Sequence, residues 1–188
     1  MKPDRAAWVL VGGRSSRMGT DKAFLNTGKG PLAAQVAAVA AEVCPSVTLV
    51  GDPALYASLG LPVVPDNHAG LGPLGGIEAA LKTSSAEWNL IVACDMPGLD
   101  ATLLESLFSA AETFDCAVPQ HPDGRQEPLC AVYSKRCHPA IEAALAAGIR
   151  KVTDGLRYGL KVNYVLTDRE AAFANWNTPQ DIRNHTHG

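Results

Sequence analysis

No stretch of this 188-residue chain holds the roughly 20 consecutive apolar residues that a bilayer-crossing helix needs. An excess of basic charge is missing too. Lysines and arginines number 16 against 19 aspartates and glutamates, a formal net charge of -3. No broad positive field is there to neutralise a nucleic-acid backbone, so nucleic acid is not an expected partner. The chain has no internal repeat, no low-complexity tract and no linker long enough to divide it. Charged residues are few, 19% against about 25% in ordinary globular proteins, while 47% are hydrophobic, which excludes a disordered or fibrous class. A single domain over residues 1–188 with a sizeable core is expected.

No CxxC pair occurs among the five cysteines, and their odd number and scattered spacing match no zinc-ligand pattern. Sitting mostly beside Val, Ala or Leu, they read as buried free thiols of a reducing compartment. Lys2 and Arg5 precede the apolar run from Ala6 to Val11, an outline shared with signal peptides. That run is short, follows Asp4 and ends in Gly-Gly-Arg, so a first strand and a cytoplasmic protein are expected.

What the chain does have is alternation. Short apolar runs predict strands over residues 8–11, 47–50, 62–64, 89–93, 116–118, 129–133 and 162–166. Between the first two lies a helix opened by Pro31, with Leu32, Val36, Val39 and Val43 along one face. Leu74, Ile77 and Leu81 repeat the pattern, as do Leu104, Leu107, Phe108 and Ala111 after a cap at Asp100. A further helix starts near Pro139 and stops at Gly148. Such alternation predicts an α/β fold, a mostly parallel sheet covered by helices on both faces with right-handed crossovers. The turn signal His121-Pro122-Asp123-Gly124-Arg125 breaks the pattern and predicts an antiparallel excursion near residues 116–134. In sheets of this kind ligands bind beyond the carboxyl ends of the strands.

The densest chemical signal comes directly after the first strand: Leu10-Val11-Gly12-Gly13-Arg14-Ser15-Ser16-Arg17-Met18-Gly19-Thr20-Asp21-Lys22. Glycines let backbone N–H groups turn toward one point, Ser15 and Ser16 add hydroxyls, and Arg17 and Lys22 add charge, which together suit a polyphosphate. The segment fits neither G-x-x-x-x-G-K-[ST] nor G-x-G-x-x-G, so a P-loop NTPase and a nicotinamide dehydrogenase are both demoted.

This segment resembles the L-A-G-G-x-S-x-R-M-G-x-D-K signature of the bacterial molybdenum cofactor guanylyltransferases, within the nucleotidyltransferase superfamily. Further matches occur in order along the chain: Val64-Pro65-Asp66, Gly72-Pro73-Leu74-Gly75-Gly76, Cys94-Asp95-Met96-Pro97, the run from Glu127 to Tyr133, and Asn175-Trp176-Asn177-Thr178-Pro179. The resemblance spans about residues 8–182. It implies a Rossmann-like three-layer α/β/α domain that moves GMP from GTP to the phosphate of molybdopterin and releases pyrophosphate. Carried over by motif, Leu10, Val11, Gly12 and Gly13 would hold the base and ribose, and Lys22 the phosphates. Asp66 would contact the nucleotide, Asp95 would ligate Mg2+, and Arg17, Lys22 and Asp95 would form the catalytic set. Gly75, Gly76, Asn175 and Asn177 would lie on the acceptor side. GTP and molybdopterin are the implied partners, with transient contact to cofactor-delivery proteins or apo-molybdoenzymes.

Two departures stand out. Val11 replaces the usual alanine, and Val50-Gly51-Asp52 stands where some members carry an asparagine after the second strand. Blander roles remain open at several positions. Asp95 could cap a helix, Asp66 could begin a turn, and Gly72 to Gly76 could serve only a tight helix entry. Arg125 and Glu127 could touch the pterin or belong to a solvated hairpin. The competing functions are cytidylyl or other nucleotidyl transfer to a pterin or a sugar or alditol phosphate, and a non-catalytic nucleotide-binding regulator. Gly12-Gly13 favours the guanylyl enzymes, because cytidylyl relatives usually carry Ala-Ala-Gly there.

Overall fold

Ala7 and Val9 of the first strand face one hydrophobic core while Ala6 and Trp8 face another, the period-two parting of a strand buried on both sides. The computed structural model describes residues 4–12, 21–66 and 70–176. Its strands are β1 (Arg5–Leu10), β2 (Val47–Val50), β3 (Val63–Val64), β4 (Trp88–Ala93), β5 (Cys116–Gln120), β6 (Cys130–Ser134) and β7 (Val162–Leu166). They form one sheet in the order β3-β2-β1-β4-β6-β5-β7. All neighbours run parallel except β6, which is antiparallel to both β4 and β5.

Helices cover both faces. On one side α1 (Leu32–Ala41) brings Ala33, Val36 and Ala40, and α4 (Ala101–Ala111) brings Leu104, Leu107 and Phe108. On the other, α3 (Pro73–Thr83) brings Leu74, Ile77 and Leu81, while α5 (His138–Ala146) brings Ile141 and Leu145. The one-turn helix α2 (Pro53–Tyr56) sends Tyr56 into the first core, and α6 (Val152–Leu156) sends Val152 and Leu156 into the second. The three-layer α/β/α expectation holds.

Its details shift. β1 begins at Arg5 and ends at Leu10, so Val11 lies beyond the strand, and β5 runs on to Gln120. The expected turn is present: Gly124 N donates to His121 O at 2.9 Å, and Gly124 has φ +86°. The antiparallel segment is not a simple hairpin, since β6 pairs mainly with β4 and only Cys116↔Tyr133 and Ala117↔Val132 join it to β5. All five cysteines are buried and free. Among the described residues no helix is long and apolar enough to cross a membrane.

Candidate active site

Leu10 and Ala93 lie side by side as the last residues of the two central parallel strands, so the loops leaving β1 and β4 emerge at the same edge of the sheet. The ladder runs a step further, with Val11 N donating to Val50 O at 3.0 Å and Cys94 N to Leu10 O at 3.2 Å. Gly12 then turns with φ +92°, a conformation that disfavours any side chain. Between these ends opens a cleft of about 190 Å³ whose walls include Leu10, Gly12, Asp21, Lys22, Cys94, Asp95 and Asn175.

Lys22 enters on a short 3-10 turn, Lys22–Phe24, capped by Asp21, whose Oδ1 accepts from Ala23 N at 3.0 Å. Asp21 Oδ2 accepts a hydrogen bond from the Tyr56 hydroxyl. Across the cleft Lys22 Nζ donates to Asp95 Oδ2 at 3.2 Å, with the two side chains 24% and 16% exposed. A cation and a carboxylate thus meet at one point, open enough to exchange partners with a ligand.

The turn carrying Asp95 is held from behind. Trp176 N donates to Asp95 O at 2.9 Å, and a Cβ on Gly98 would fall 2.6 Å from Ala171 O. Glycine is therefore what lets the segment around the 3-10 turn Glu170–Phe173 lie against this turn and carry Asn175 into the cleft. Arg169 pairs with Asp100 and ties the same segment to the start of α4. Burial pushes the Cys94 thiol up to about 12, with the nearby carboxylates of Asp95 and Asp21 adding to the rise. That direction favours the neutral thiol over a thiolate nucleophile in the cleft wall.

Of the candidate site residues, Leu10, Gly12, Lys22, Asp95 and Asn175 line one cleft. Val11 does not line the cleft; it is buried in the core beneath it. Asp66 is half-buried two residues past β3, at the same edge of the sheet but not in the cleft wall. Gly75 and Gly76 are buried in the first turns of α3, where a Cβ on Gly76 would come within 3.3 Å of Leu10 Cδ2, while Pro73 of that helix reaches the cleft. Gly13, Arg17 and Asn177 lie outside the described residues. The helix-cap role weighed for Asp95 belongs to Asp100, whose Oδ1 accepts from Leu103 N at 2.9 Å. Arg125 and Glu127 pair with each other at 2.7 Å and Glu127 also meets His121 at 3.0 Å; neither residue lines the cleft, though Leu129 beyond them does.

Three features escaped sequence reasoning. Asp21 is a cleft residue, Tyr56 supports it from a different element, and Gly51 fits against Val11: a Cβ there would lie 2.7 Å from Val11 Cγ2 and 2.9 Å from the Tyr56 ring. The two departures from the family pattern are thus neighbours in space. A separate group, Glu78, His138 and Glu142, places its ligand atoms within 4.8 Å of one another between α3 and α5, away from the cleft wall.

Known proteins resemble the chain over nearly its whole length. Residues 7–161 match the MobA-like NTP transferase domain family. A probable molybdenum cofactor guanylyltransferase from Pelotomaculum thermopropionicum is 44% identical over 182 residues, covering 93% of this chain and 88% of that protein. The molybdenum cofactor guanylyltransferase of Pseudomonas putida is 31% identical, covering 95% of each chain. Among solved structures, molybdopterin-guanine dinucleotide biosynthesis protein A from Archaeoglobus fulgidus superposes with a TM-score of 0.79 at 29% identity over 95% of both chains.

Proposed function

The chain belongs to the MobA-like NTP transferase family of nucleotidyltransferases, and from that we propose that it transfers GMP from GTP to the phosphate of molybdopterin, releasing pyrophosphate and forming the guanine dinucleotide cofactor. The observation that carries the proposal is the meeting of Lys22 and Asp95 at 3.2 Å in a cleft whose rim is the Gly12 turn.

In this reaction an oxygen of the acceptor phosphate forms a bond to the α-phosphorus of GTP, and the bond from that phosphorus to the bridging α,β oxygen breaks. Pyrophosphate carries the electrons away. No protein nucleophile is needed, in keeping with the neutral Cys94 thiol. What the protein supplies is position and charge. Leu10, Gly12 and Gly13 seat the nucleoside above the buried Val11, Lys22 and Arg17 meet the triphosphate, and Asp66 approaches the nucleotide from beyond β3. Asn175 and Asn177, with the Gly75-Gly76 helix entry, belong to the acceptor side.

Asp95 fits a magnesium ion on its own chemistry. It is a hard carboxylate at a strand end, partly open to the cleft, with a lysine rather than an apolar wall as its present neighbour. Bound there, Mg2+ would offset phosphate charge during transfer. We place the protein in the cytoplasm as one nucleotidyltransferase domain over residues 1–188, meeting cofactor-delivery proteins or apo-molybdoenzymes transiently.

The test is turnover with each of the four nucleoside triphosphates and molybdopterin, scored by pyrophosphate release in equal Mg2+. GTP is expected to give the highest kcat/KM. A GTP to CTP ratio at or below one removes the guanylyl assignment.

A further inference from the structure

Tyr56 touches both ends of the glycine-rich signature without belonging to it. At one end its hydroxyl lies 3.2 Å from where a Cβ on Gly12 would stand. At the other, the same hydroxyl donates to Asp21 Oδ2, and its ring stacks on Phe24 with centroids 5.7 Å apart and planes 13° apart. The residue is held in place by its own short helix: Asp52 caps α2 by accepting from Ala54 N at 2.8 Å, and Pro53 opens the turn. Gly51 leaves the room the ring needs, since a Cβ there would sit 2.9 Å from two of its carbons. The ring is buried, yet its hydroxyl is aimed at a carboxylate that lines the cleft.

From this arrangement we infer that Tyr56 is a positioning residue for the triphosphate, an inference that rests on the nucleotidyltransferase reading above. It acts through Asp21. Both oxygens of that carboxylate are engaged, Oδ1 by Ala23 N and Oδ2 by the Tyr56 hydroxyl. With a donor on each oxygen, Asp21 sets the backbone of the Lys22–Phe24 turn. Lys22 then starts from a fixed base, so less freedom is lost when its ammonium group meets phosphate. Burial, together with donation to Asp21, pushes the Tyr56 hydroxyl above its ordinary range, which favours the donor form.

Tyr56→Phe tests this, because it keeps the ring against Gly12, Gly51 and Phe24 and removes only the hydroxyl. The assay uses whichever nucleoside triphosphate the wild type turns over best, with molybdopterin as acceptor. The expected result is a rise of about tenfold in KM for the triphosphate with KM for molybdopterin unchanged. Asp21→Ala, which leaves the Tyr56 hydroxyl without its acceptor, should raise the same KM, and the double variant should be no worse than Asp21→Ala alone, since the same hydrogen bond is already broken. A triphosphate KM within twofold of wild type in Tyr56→Phe, an equal rise in both KM values, or additive effects would overturn the role. Preference for a base other than guanine would remove the guanylyl assignment and leave this test intact. Absence of turnover with all four triphosphates would overturn both.

Discussion

Lys22 Nζ and Asp95 Oδ2 stand 3.2 Å apart, although 73 positions separate them in the chain. Each holds the other pointed into the cleft, so that in the proposed reaction ligand binding would amount to an exchange of partners: phosphate for Lys22, a divalent cation for Asp95. The pair is a latch on the site as much as an element of stability, since partly exposed ion pairs contribute only about 0–1 kcal/mol.

Lys22→Ala should therefore lower kcat/KM for GTP far more than it lowers stability. Loss of a charge-assisted phosphate contact is worth about 1.5–3 kcal/mol, or roughly tenfold to a hundredfold and more in rate. Steady-state kinetics beside a thermal melt will show it. Wild-type kinetics from a folded Lys22→Ala protein would move the phosphate site elsewhere.

Asp95→Asn keeps the shape and one acceptor oxygen while removing the charge. Pyrophosphate release is expected to fall by at least about a hundredfold, near 2.7 kcal/mol, with the melting temperature little changed. Titration with Mg2+ supplies the check: a variant with a normal rate and an unchanged metal dependence would sink the metal-binding role.

Periodicity made α1, α3 and α4 legible, because each repeats its apolar residues over more than one turn, and α5 was legible from its opening Pro139 and closing Gly148. The helices α2 and α6 have no period to read. Gly155 even disfavours α6, and is there because a Cβ would stand 3.0 Å from Leu74 Cδ1 and Cδ2. Strand order was legible only in part. Asp-Gly announced the turn, but nothing local says that β6 pairs with β4, more than 30 residues earlier in the chain. The site divides the same way: Gly12, Lys22 and Asp95 sit in contiguous motifs, whereas Tyr56 owes its place to a contact across 35 positions.

Gly51 and Val11 give a prediction in stability. Gly51→Ala would put a methyl 2.7 Å from Val11 Cγ2, and overpacking of this kind costs about 1–3 kcal/mol. Adding Val11→Ala should relieve part of that cost, the part not owed to the Tyr56 ring. Denaturant melts of both single variants and the double one will read the coupling; strictly additive losses would mean that the two positions do not share their space.

Asp100 gives a prediction in pH. Its hydrogen bonds from Arg169, first, and from Leu103 N hold its carboxyl below the ordinary 3.8. A folded-state value that is depressed contributes stability above the unfolded value and loses it as pH falls through the folded one. Asp100→Asn caps α4 about as well, so the variant isolates the charge. Its stability should lie slightly below wild type at neutral pH, by roughly 0–1 kcal/mol for so exposed a pair, and the gap should close as pH drops below 3.8. Thermal melts of both proteins across the acid range will measure it, and a gap that stays constant would argue against the ion pair.

The contact between Trp176 N and Asp95 O bears on when the site comes into being during synthesis. Translation adds about 5–20 residues per second, and domains generally begin to fold from the amino end. Strands β1 to β4, with Lys22 and Asp95, leave the ribosome well before residues 170–176. Until those residues emerge, the Asp95 turn lacks its backing and Asn175 is absent from the cleft. A ribosome stalled short of them would display a sheet that can pair and a pocket that stands unfinished, so that the site is completed only once residues 170–176 have emerged.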